Sequence, residues 1–201
     1  RNSWKEKRSS ESAARTDMRK LAREISEELS RGGVVVLPAG TVYGLFCVAA
    51  DKKAVRKVYS IKGRDFRKPL QVFFPDIRSA AKYAAMDGAM MKKARKYLPG
   101  PFTLVLKLKK NRQKHFSFLK RGTIGIRVIR SRLLSALLKK NGPLAATSAN
   151  VSGDKTPVKF GDISFEIRSK AALSVIDDRQ VSGRASRVID FTGEKPVVLR
   201  K

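Results

Sequence analysis

Short apolar runs alternate with amphipathic segments along this chain, and that alternation constrains the fold more than any other feature of the sequence. Residues 34–37, 70–74 and 124–128 are rich in β-branched residues, leucine and phenylalanine, which predicts buried strands. Leucine and isoleucine recur at helical spacing in residues 17–31 and 131–140, which predicts helices that pack on a sheet. We therefore predict a layered α/β domain, or α+β in stricter schemes, around a twisted and mostly mixed sheet.

The first helix sets the predicted start of the domain. Thr16 or Asp17 is its expected cap, and residues 1–16 are rich in Ser, Lys and Arg without apolar periodicity. We predict a mobile basic tail at 1–16 and a single domain at 17–201. The remaining strands are predicted at residues 42–49, 102–108, 144–147, 173–176, 187–191 and 197–200, the remaining helices at 51–63, 76–84, 87–97 and 161–169, and a basic loop at 109–122.

Positive charge is the strongest compositional signal. The 201 residues include 45 Lys and Arg against 17 Asp and Glu, which gives a formal net charge of +28. Residues 88–153 contain sixteen basic side chains and no carboxylate. A solvated face that keeps the protein in solution would also be charged, but 66 residues without a compensating acid favour a nucleic-acid partner. We expect salt-sensitive binding of RNA or DNA through a basic surface.

The sequence predicts a soluble protein. It has no apolar run of about 18 residues or more and no apolar segment near its first residue, so we expect neither a membrane span nor a secretory signal. Cys47 is the single cysteine, which excludes an internal disulfide and a multi-cysteine zinc site. A cytoplasmic location is the expectation.

Side chains for acid–base or nucleophilic catalysis are scarce. The single histidine, His115, lies in a basic stretch without a nearby acid that could orient it. No pair of carboxylates, no glycine-rich nucleotide motif and no set of zinc ligands stands out. We predict no metal site on the protein, and we expect any catalysis to depend on positioning and electrostatic stabilisation.

Small, hydroxyl-bearing and cationic stretches lie at the predicted strand ends, where α/β sheets hold ligands. They include residues 38–41, 62–64, 99–101 and 147–150, together with Thr123 and Arg127. Hydroxyl and backbone N–H groups beside Lys and Arg can hold phosphates. Each stretch also has a structural explanation, because residues 62–64 suit a basic helix end and residues 148–150 suit a turn with a helix cap.

Six ordered motifs together resemble the YrdC-type family of L-threonylcarbamoyl-AMP synthases, over about residues 17–200. They are VLPAGTVYGL, IKGRDFRKPL, LPGPFTLVL, TIGIRV, PLAATSANVSG and SRVIDF followed by VVLR. The resemblance implies a three-layer fold, with helices on both sides of the sheet and a large, positively charged cavity. It also implies a nucleotidyltransferase that joins L-threonine, bicarbonate and ATP, with Mg²⁺ on the ATP, into threonylcarbamoyl-AMP and pyrophosphate. The product would serve tRNA modification, so tRNA and threonylcarbamoyl-transfer proteins are implied partners.

The resemblance also implies roles for individual residues. Lys62 and Arg64 match a catalytic KxR motif. The implied L-threonine-binding residues are Thr41, Arg127, Ala146 and Ser186, of which Arg127 would bind the carboxylate. The implied ATP-binding residues are Lys62, Arg64, Lys68, Thr123, Ser148, Asn150, Thr156 and Arg200.

Five positions depart from the pattern of the family. Ala39 and Gly40 replace a threonine and an acid, Phe73 replaces a histidine of many longer members, and Arg187 replaces a hydroxyl residue. Lys68 replaces a frequent asparagine and adds positive charge. The changes near the amino-acid site leave a second class of function open. The chain could be an RNA-binding or ribosome-associated module without synthase activity, or a paralogue that hydrolyses threonylcarbamoyl products.

Overall fold

One mixed sheet forms the centre of the computed structural model, which describes residues 3–119 and 122–201. Its strands within those residues are β1 (Val35–Pro38), β2 (Tyr43–Val48), β3 (Gln71–Phe73), β4 (Phe102–Lys107), β5 (Thr123–Arg127), β6 (Leu144–Ser148), β7 (Leu173–Ser174), β8 (Arg187–Asp190) and β9 (Val197–Arg200). They lie in the order β7-β1-β2-β6-β3-β5-β4-β8-β9. The pairs β1–β7, β3–β5 and β4–β8 are parallel, and the other neighbours are antiparallel. The predicted mixed α/β sheet is therefore confirmed.

Polar caps fix where most of the helices begin. The helices of the described residues are α1 (Ser3–Ser30), α2 (Lys52–Lys62), α3 (Ile77–Ala81), α4 (Gly88–Ala94), α5 (Arg132–Asn141) and α6 (Phe165–Lys170). The residues whose side chains accept backbone N–H bonds at the starts of α2 to α6 are Asp51, Asp76, Asp87, Ser131 and Ser164. Such bonds satisfy N–H groups that have no partner within the helix. None of the helices in the described part of the chain is long and apolar enough to cross a membrane.

The two faces of the sheet pack into two separate apolar cores. On one face, Val36, Leu45 and Val72 belong to a core that α2 and α6 also enter. On the other face, Val35 and Phe46 belong to a core with the apolar residues of α1 and α5. Successive residues of a strand point to opposite faces, so the apolar runs of the sequence serve both cores. The result is the three-layer arrangement of helices, sheet and helices that the resemblance implied.

The second core stops halfway across the sheet. Its strand and helix members come from β1, β2, β3 and β6 and from α1 and α5, joined by Ala39 and Val175 of the connecting segments, and no described member comes from β4, β5, β8 or β9. On this face, α1 and α5 therefore cover only one half of the sheet. The boundary between the covered and uncovered halves lies at β3 and β5, whose residues Gln71, Phe73 and Arg127 line the candidate site.

The predicted element bounds differ from the structure by a few residues, with one larger correction. The expected cap at Thr16 or Asp17 is wrong, because α1 begins at Ser3. The added segment contains Ala, Glu, Lys and Arg, which favour helix, and no Gly or Pro. The mobility of residues 1–16 and the domain boundary at 17 stay predictions. The basic loop at 109–122 contains a 3₁₀ turn at Lys110–His115. Residues 1, 2, 120 and 121 lie outside the described residues.

Candidate functional site

A hollow of about 140 Å³ lies where the loop between β1 and β2 meets β3, β5 and β6. Arg64, Arg127 and Arg200, from three distant segments of the chain, all line it. None of the described residues that line it is Asp or Glu. The hydroxyl-bearing residues that line it include Thr41, Ser148, Thr156 and Ser186. Because the hollow combines positive charge with hydroxyl donors, its chemistry suits an anionic ligand.

Arg127 places a buried positive charge beside the hollow. Its residue surface is 3% exposed. Its Nη1 donates to Thr41 Oγ1 (3.1 Å) and its Nη2 to the Ala39 carbonyl oxygen (3.3 Å), and its guanidinium lies 5.1 Å from the centre of the Phe73 ring. Within the described structure its Nε has no hydrogen-bond partner. Burial, followed by repulsion from Arg200, lowers the pKa of Arg127 to about 10, so the group stays charged at neutral pH. An anion in the hollow would compensate this buried charge.

The other two arginines are oriented by neutral oxygen atoms. Arg200 donates from Nε and Nη2 to the carbonyl oxygen of Ser186 (2.9 and 2.7 Å) and from Nη2 to its Oγ (3.0 Å). Arg64 donates from Nε to the carbonyl oxygen of Lys68 (3.0 Å) and from Nη2 to that of Pro69 (3.2 Å). Burial lowers the pKa of both guanidinium groups, and repulsion from Arg64 lowers that of Arg200 further. Carbonyl oxygens orient these cations without neutralising them, so the charge remains for a ligand.

Lys62 differs from the arginines because oxygen atoms enclose its charge. Its Nζ donates to the carbonyl oxygens of Ser148 (2.9 Å) and Asn150 (2.6 Å), to Ser148 Oγ (3.4 Å) and to Asn150 Oδ1 (2.9 Å). The lysine is 2% exposed and ends α2, which Gly63 closes with a left-handed φ of 59°. Burial, followed by repulsion from Arg64, lowers the pKa of Lys62 to about 8. Lys62 therefore fixes the shape of the loop after β6.

The loop between β1 and β2 brings Thr41 to Arg127. Gly40 has a φ of 74°, in the left-handed region that favours glycine. Thr41 is almost fully buried, and its carbonyl oxygen accepts bonds from the Gly183 N–H (2.9 Å) and from Ser182 Oγ (3.4 Å). The small residues therefore let this turn pack against a segment near the end of the chain. That they also let a ligand approach the backbone stays a prediction.

Tyr43 is a site residue that the sequence interpretation did not select. It lines the hollow, its hydroxyl donates to Asp178 Oδ1 (2.7 Å), and it accepts from the Asp177 N–H (3.0 Å). Burial, followed by the hydrogen bond to Asp178, raises the pKa of Tyr43 to about 12. The tyrosine thus ties β2 to the 3₁₀ turn at Asp178–Gln180. Its position in the VYGL motif was the sequence signal that could have identified it as a site residue.

Two polar residues inside apolar strands were also missed. Gln71 lines the hollow from the start of β3, and Thr103, which is buried in β4, shares a hydrogen bond with Ser186 Oγ (2.9 Å). A polar side chain within an apolar run, as in LQVFF and FTLVL, could have identified both. Thr103 helps to hold the serine that orients Arg200.

Eight of the twelve site residues predicted from the sequence line the hollow. Among the other four, Lys62 and Asn150 lie behind Ser148 and hold its loop. Lys68 is exposed and meets Arg64 through its carbonyl oxygen. Thr123 begins β5, whereas Arg127 ends it. The eight residues that line the hollow are Thr41, Arg64, Arg127, Ala146, Ser148, Thr156, Ser186 and Arg200. Their individual roles stay predictions.

A larger basin of about 990 Å³ adjoins the hollow, and Thr41, Arg127 and Ala185 line both. We call it the outer basin. Pro99, Pro101 and Ile129 give it apolar surface. Its additional positively charged side chains are those of Arg130, Arg184, Arg187 and Lys201.

Residues 27–201 match the Sua5/YciO/YrdC family, which is described as a telomere recombination family. A Bacillus subtilis relative, named threonylcarbamoyl-AMP synthase, is 32% identical over 86% of this chain and 50% of its own length. The match therefore spans about half of that relative.

Two solved structures share the fold. The structure of Pyrococcus abyssi Sua5 complexed with L-threonine aligns with a TM-score of 0.77 and 26% identity, over 89% of this chain and 53% of that one. The Escherichia coli YciO structure aligns with a TM-score of 0.78 and 26% identity, over 90% of this chain and 89% of that one. The family thus contains both a protein that binds L-threonine and one of nearly the same length as this chain.

Proposed function

The chain belongs to the Sua5/YciO/YrdC family, and from this premise we propose that it is an L-threonylcarbamoyladenylate synthase. The proposed reaction consumes L-threonine, bicarbonate and ATP and releases threonylcarbamoyl-AMP, pyrophosphate and water. The name of the Bacillus subtilis relative and the threonine complex of Pyrococcus abyssi Sua5 support the assignment. The chain covers only about half of each of these two proteins, so the synthase activity of this chain is a proposal.

The observation that carries the proposal is the hollow itself, where three guanidinium groups converge without a carboxylate. Threonine brings one carboxylate and ATP brings several phosphate charges, so the ligands supply the anions that the hollow lacks. Arg127 is proposed to bind the threonine carboxylate, because its buried charge has only neutral partners. Thr41, the Ala146 backbone and Ser186 complete the proposed amino-acid site.

The proposed chemistry has two stages. The threonine amine first joins the carbon of bicarbonate with loss of water, which gives a carbamate. A carbamate oxygen then attacks the α-phosphorus of ATP, the bond from that phosphorus to the bridging oxygen breaks, and pyrophosphate leaves with the electron pair. Arg64 and Arg200 are proposed to stabilise the charge that develops on the phosphate oxygens. Ser148 and Thr156 are proposed to donate hydrogen bonds to the nucleotide.

Lys62 and Asn150 are proposed to act through the loop that they hold. The four oxygens around Lys62 Nζ occupy its N–H donors. The lysine would therefore act by holding Ser148 in position and by adding a positive charge near the site. Lys68 lies outside the hollow, and we propose that it meets outer parts of the ATP. Thr123 begins β5 and Arg127 ends it, about 13 Å away, so we leave its predicted contact with ATP out of the proposal. The described residues contain no cluster of His, Cys, Asp or Glu that could hold a metal, so Mg²⁺ would arrive on the phosphates of ATP.

RNA is the proposed macromolecular partner, because the net charge of +28 favours binding of a polyanion and the proposed product serves tRNA modification. Threonylcarbamoyl-transfer proteins would take up the product, and the cytoplasm is the proposed location.

The second candidate is an RNA-binding module without synthase activity. It is favoured by Ala39 and Gly40, which leave no carboxylate in the hollow for the threonine ammonium group. Hydrolysis of threonylcarbamoyl products is a weaker variant of that candidate.

The test is incubation with ATP, Mg²⁺, bicarbonate and L-threonine, followed by measurement of pyrophosphate and of the mixed adenylate. The synthase proposal expects both products, and expects neither when threonine is omitted. Product formation with a different amino acid, but not with L-threonine, would show that Ala39, Gly40 and Phe73 have changed the amino-acid specificity. Tight RNA binding without any pyrophosphate would favour the second candidate.

A further inference from the structure

A second concentration of positive charge lies at the far end of β4. There the 3₁₀ turn at Lys110–His115 meets the segment between α3 and α4. Backbone bonds join these parts, since the Ala85 N–H donates to the Lys107 carbonyl oxygen and the Lys109 N–H to that of Tyr83 (2.8 Å each). We call the following side chains the basic corner: Lys82, Lys93, Lys107, Lys109, Lys110, Arg112 and Lys114.

The charges of the basic corner are exposed and lack acidic partners. All of its lysines are exposed, and none of its seven side chains forms an ion pair within the described structure. Asp87 is the nearest acid along the chain, and its Oδ1 accepts the Met90 N–H (2.7 Å) at the start of α4. Like charges this dense repel one another, so a polyanion gains affinity by neutralising them.

The basic corner is separate from the hollow. Lys107 pairs with Thr123 at the first residue of β5, whereas Arg127 is the last residue of that strand. Four residues of extended chain span about 13 Å. No residue of the basic corner lines the hollow or the outer basin. The basic corner is therefore open to a partner while the hollow is occupied.

An aromatic platform accompanies the charges. The Arg112 guanidinium lies 5.7 Å from the centre of the Tyr83 ring, and the His115 ring meets the same tyrosine edge-on with ring centres 6.0 Å apart. Tyr83 is half-buried, with Phe116 packed beside it. Rings and arginine planes interleaved with lysines are a common surface for nucleic acid, because they stack with bases while the lysines neutralise phosphates.

We propose that the basic corner is an RNA-binding surface that holds the phosphate backbone. A protein partner would need apolar anchors, and among the described residues no large apolar side chain is exposed within 82–116, the segment that carries the basic corner. The large apolar side chains exposed elsewhere in the described structure belong to other segments, such as Phe165 and Ile176. The choice of RNA over DNA rests on the proposed function, whose product is destined for tRNA.

The test compares two variants that each lose four exposed lysines. The corner variant is K82A/K93A/K110A/K114A, and the control variant, K52A/K53A/K139A/K140A, loses the same charge from the start of α2 and the end of α5. We expect the affinity for a labelled RNA stem-loop to fall about tenfold or more in the corner variant and much less in the control. The slope of log affinity against log salt should become shallower by about 0.9 for each phosphate that the variant no longer neutralises.

Three results would overturn the proposal. They are equal losses in both variants, a larger loss in the outer-basin variant R130A/R184A/R187A, and full competition by polyglutamate. Circular dichroism of each variant shows whether it is folded. Pyrophosphate release is measured in parallel, so a failure of the synthase proposal is distinct from a failure of RNA binding.

Discussion

The hollow and the basic corner carry charge of the same sign in opposite settings. In the hollow, Arg127 is buried, Arg64 is partly buried and Arg200 is exposed, and carbonyl or hydroxyl oxygens fix the orientation of all three. In the basic corner, the lysines are exposed, and Lys109 alone among the described ones donates from Nζ to a carbonyl oxygen, that of Ala81 (2.7 Å). Oriented, desolvated guanidinium groups select a ligand of defined geometry, whereas exposed ammonium groups attract any dense row of phosphates.

This difference also predicts how each region responds to salt. Exposed charges are screened over about 8–10 Å at physiological ionic strength, and buried charges much less. Binding at the basic corner should therefore weaken steeply with salt, while binding in the hollow should not. If the two regions are independent, mutations in each should change one property and leave the other unchanged.

The largest expected effect is the loss of catalysis in Arg64→Ala. This change removes a cation from the hollow, and we expect kcat/KM for ATP to fall about 10²–10³-fold. RNA affinity should change little, because Arg64 lies outside the basic corner. Arg67→Ala is the matched control, since this exposed arginine pairs with Asp65 and does not line the hollow. Pyrophosphate release at the full rate by Arg64→Ala would show that the hollow is not the catalytic site.

An intermediate effect is expected from the titration of Lys62. Its pKa falls from the usual 10.5 to about 8, so it loses its proton above pH 8 in the folded protein but retains it in the unfolded chain up to about pH 10.5. Between these values the unfolded state binds more protons, so the contribution of this group to the free energy of unfolding rises with pH. Activity should fall several-fold over the same range, because neutral Lys62 has fewer N–H groups for its four oxygens.

Opposite pH trends in stability and activity would thus identify Lys62. Denaturant unfolding and pyrophosphate release, each measured from pH 7 to about pH 10, provide the two curves. In Lys62→Arg the charge persists at all these pH values, so the variant should lack both trends. The same trends in wild type and variant would assign them to another group.

The smallest expected effect concerns the aromatic platform. Arg112→Lys retains the charge but removes the planar guanidinium over Tyr83, which the proposal uses to stack with a base. We expect RNA affinity to fall about two- to fivefold, with an unchanged salt slope and unchanged pyrophosphate release. Lys110→Arg, the reverse exchange two residues earlier, is the control. Unchanged RNA affinity in Arg112→Lys would mean that the basic corner binds through charge alone.

Much of the fold could be predicted because the signals are local. Asp51 and Gly63 mark the two ends of α2 through a side-chain cap and a left-handed backbone, which are properties of these residues and their neighbours. The start of α1 was misjudged, because the segment before Thr16 has helix-forming residues but no apolar period. Periodicity predicts helices that pack on a core, and it gives no signal for a segment without an apolar period.

The sequence predicted the location of some candidate-site residues but not of others. The resemblance selected Arg64, Arg127 and Arg200, and the structure brings them to one hollow although about 136 residues separate the first from the last. It grouped Lys62 with Arg64, but the lysine is enclosed behind Ser148 while the arginine faces the hollow. Two residues apart in sequence, they meet opposite surroundings because Gly63, in the left-handed region, ends α2 between them.

Residue type and short-range spacing were enough to predict the order of strands and helices, the cap of α2 at Asp51, and the excess of positive charge over residues 88–153. Which charges are buried and which are exposed depends on the tertiary structure. Burial depends on contacts between segments distant in the chain, and the cost of desolvating a charge depends on that burial. Only the folded chain therefore separates an oriented anion site from an open basic surface.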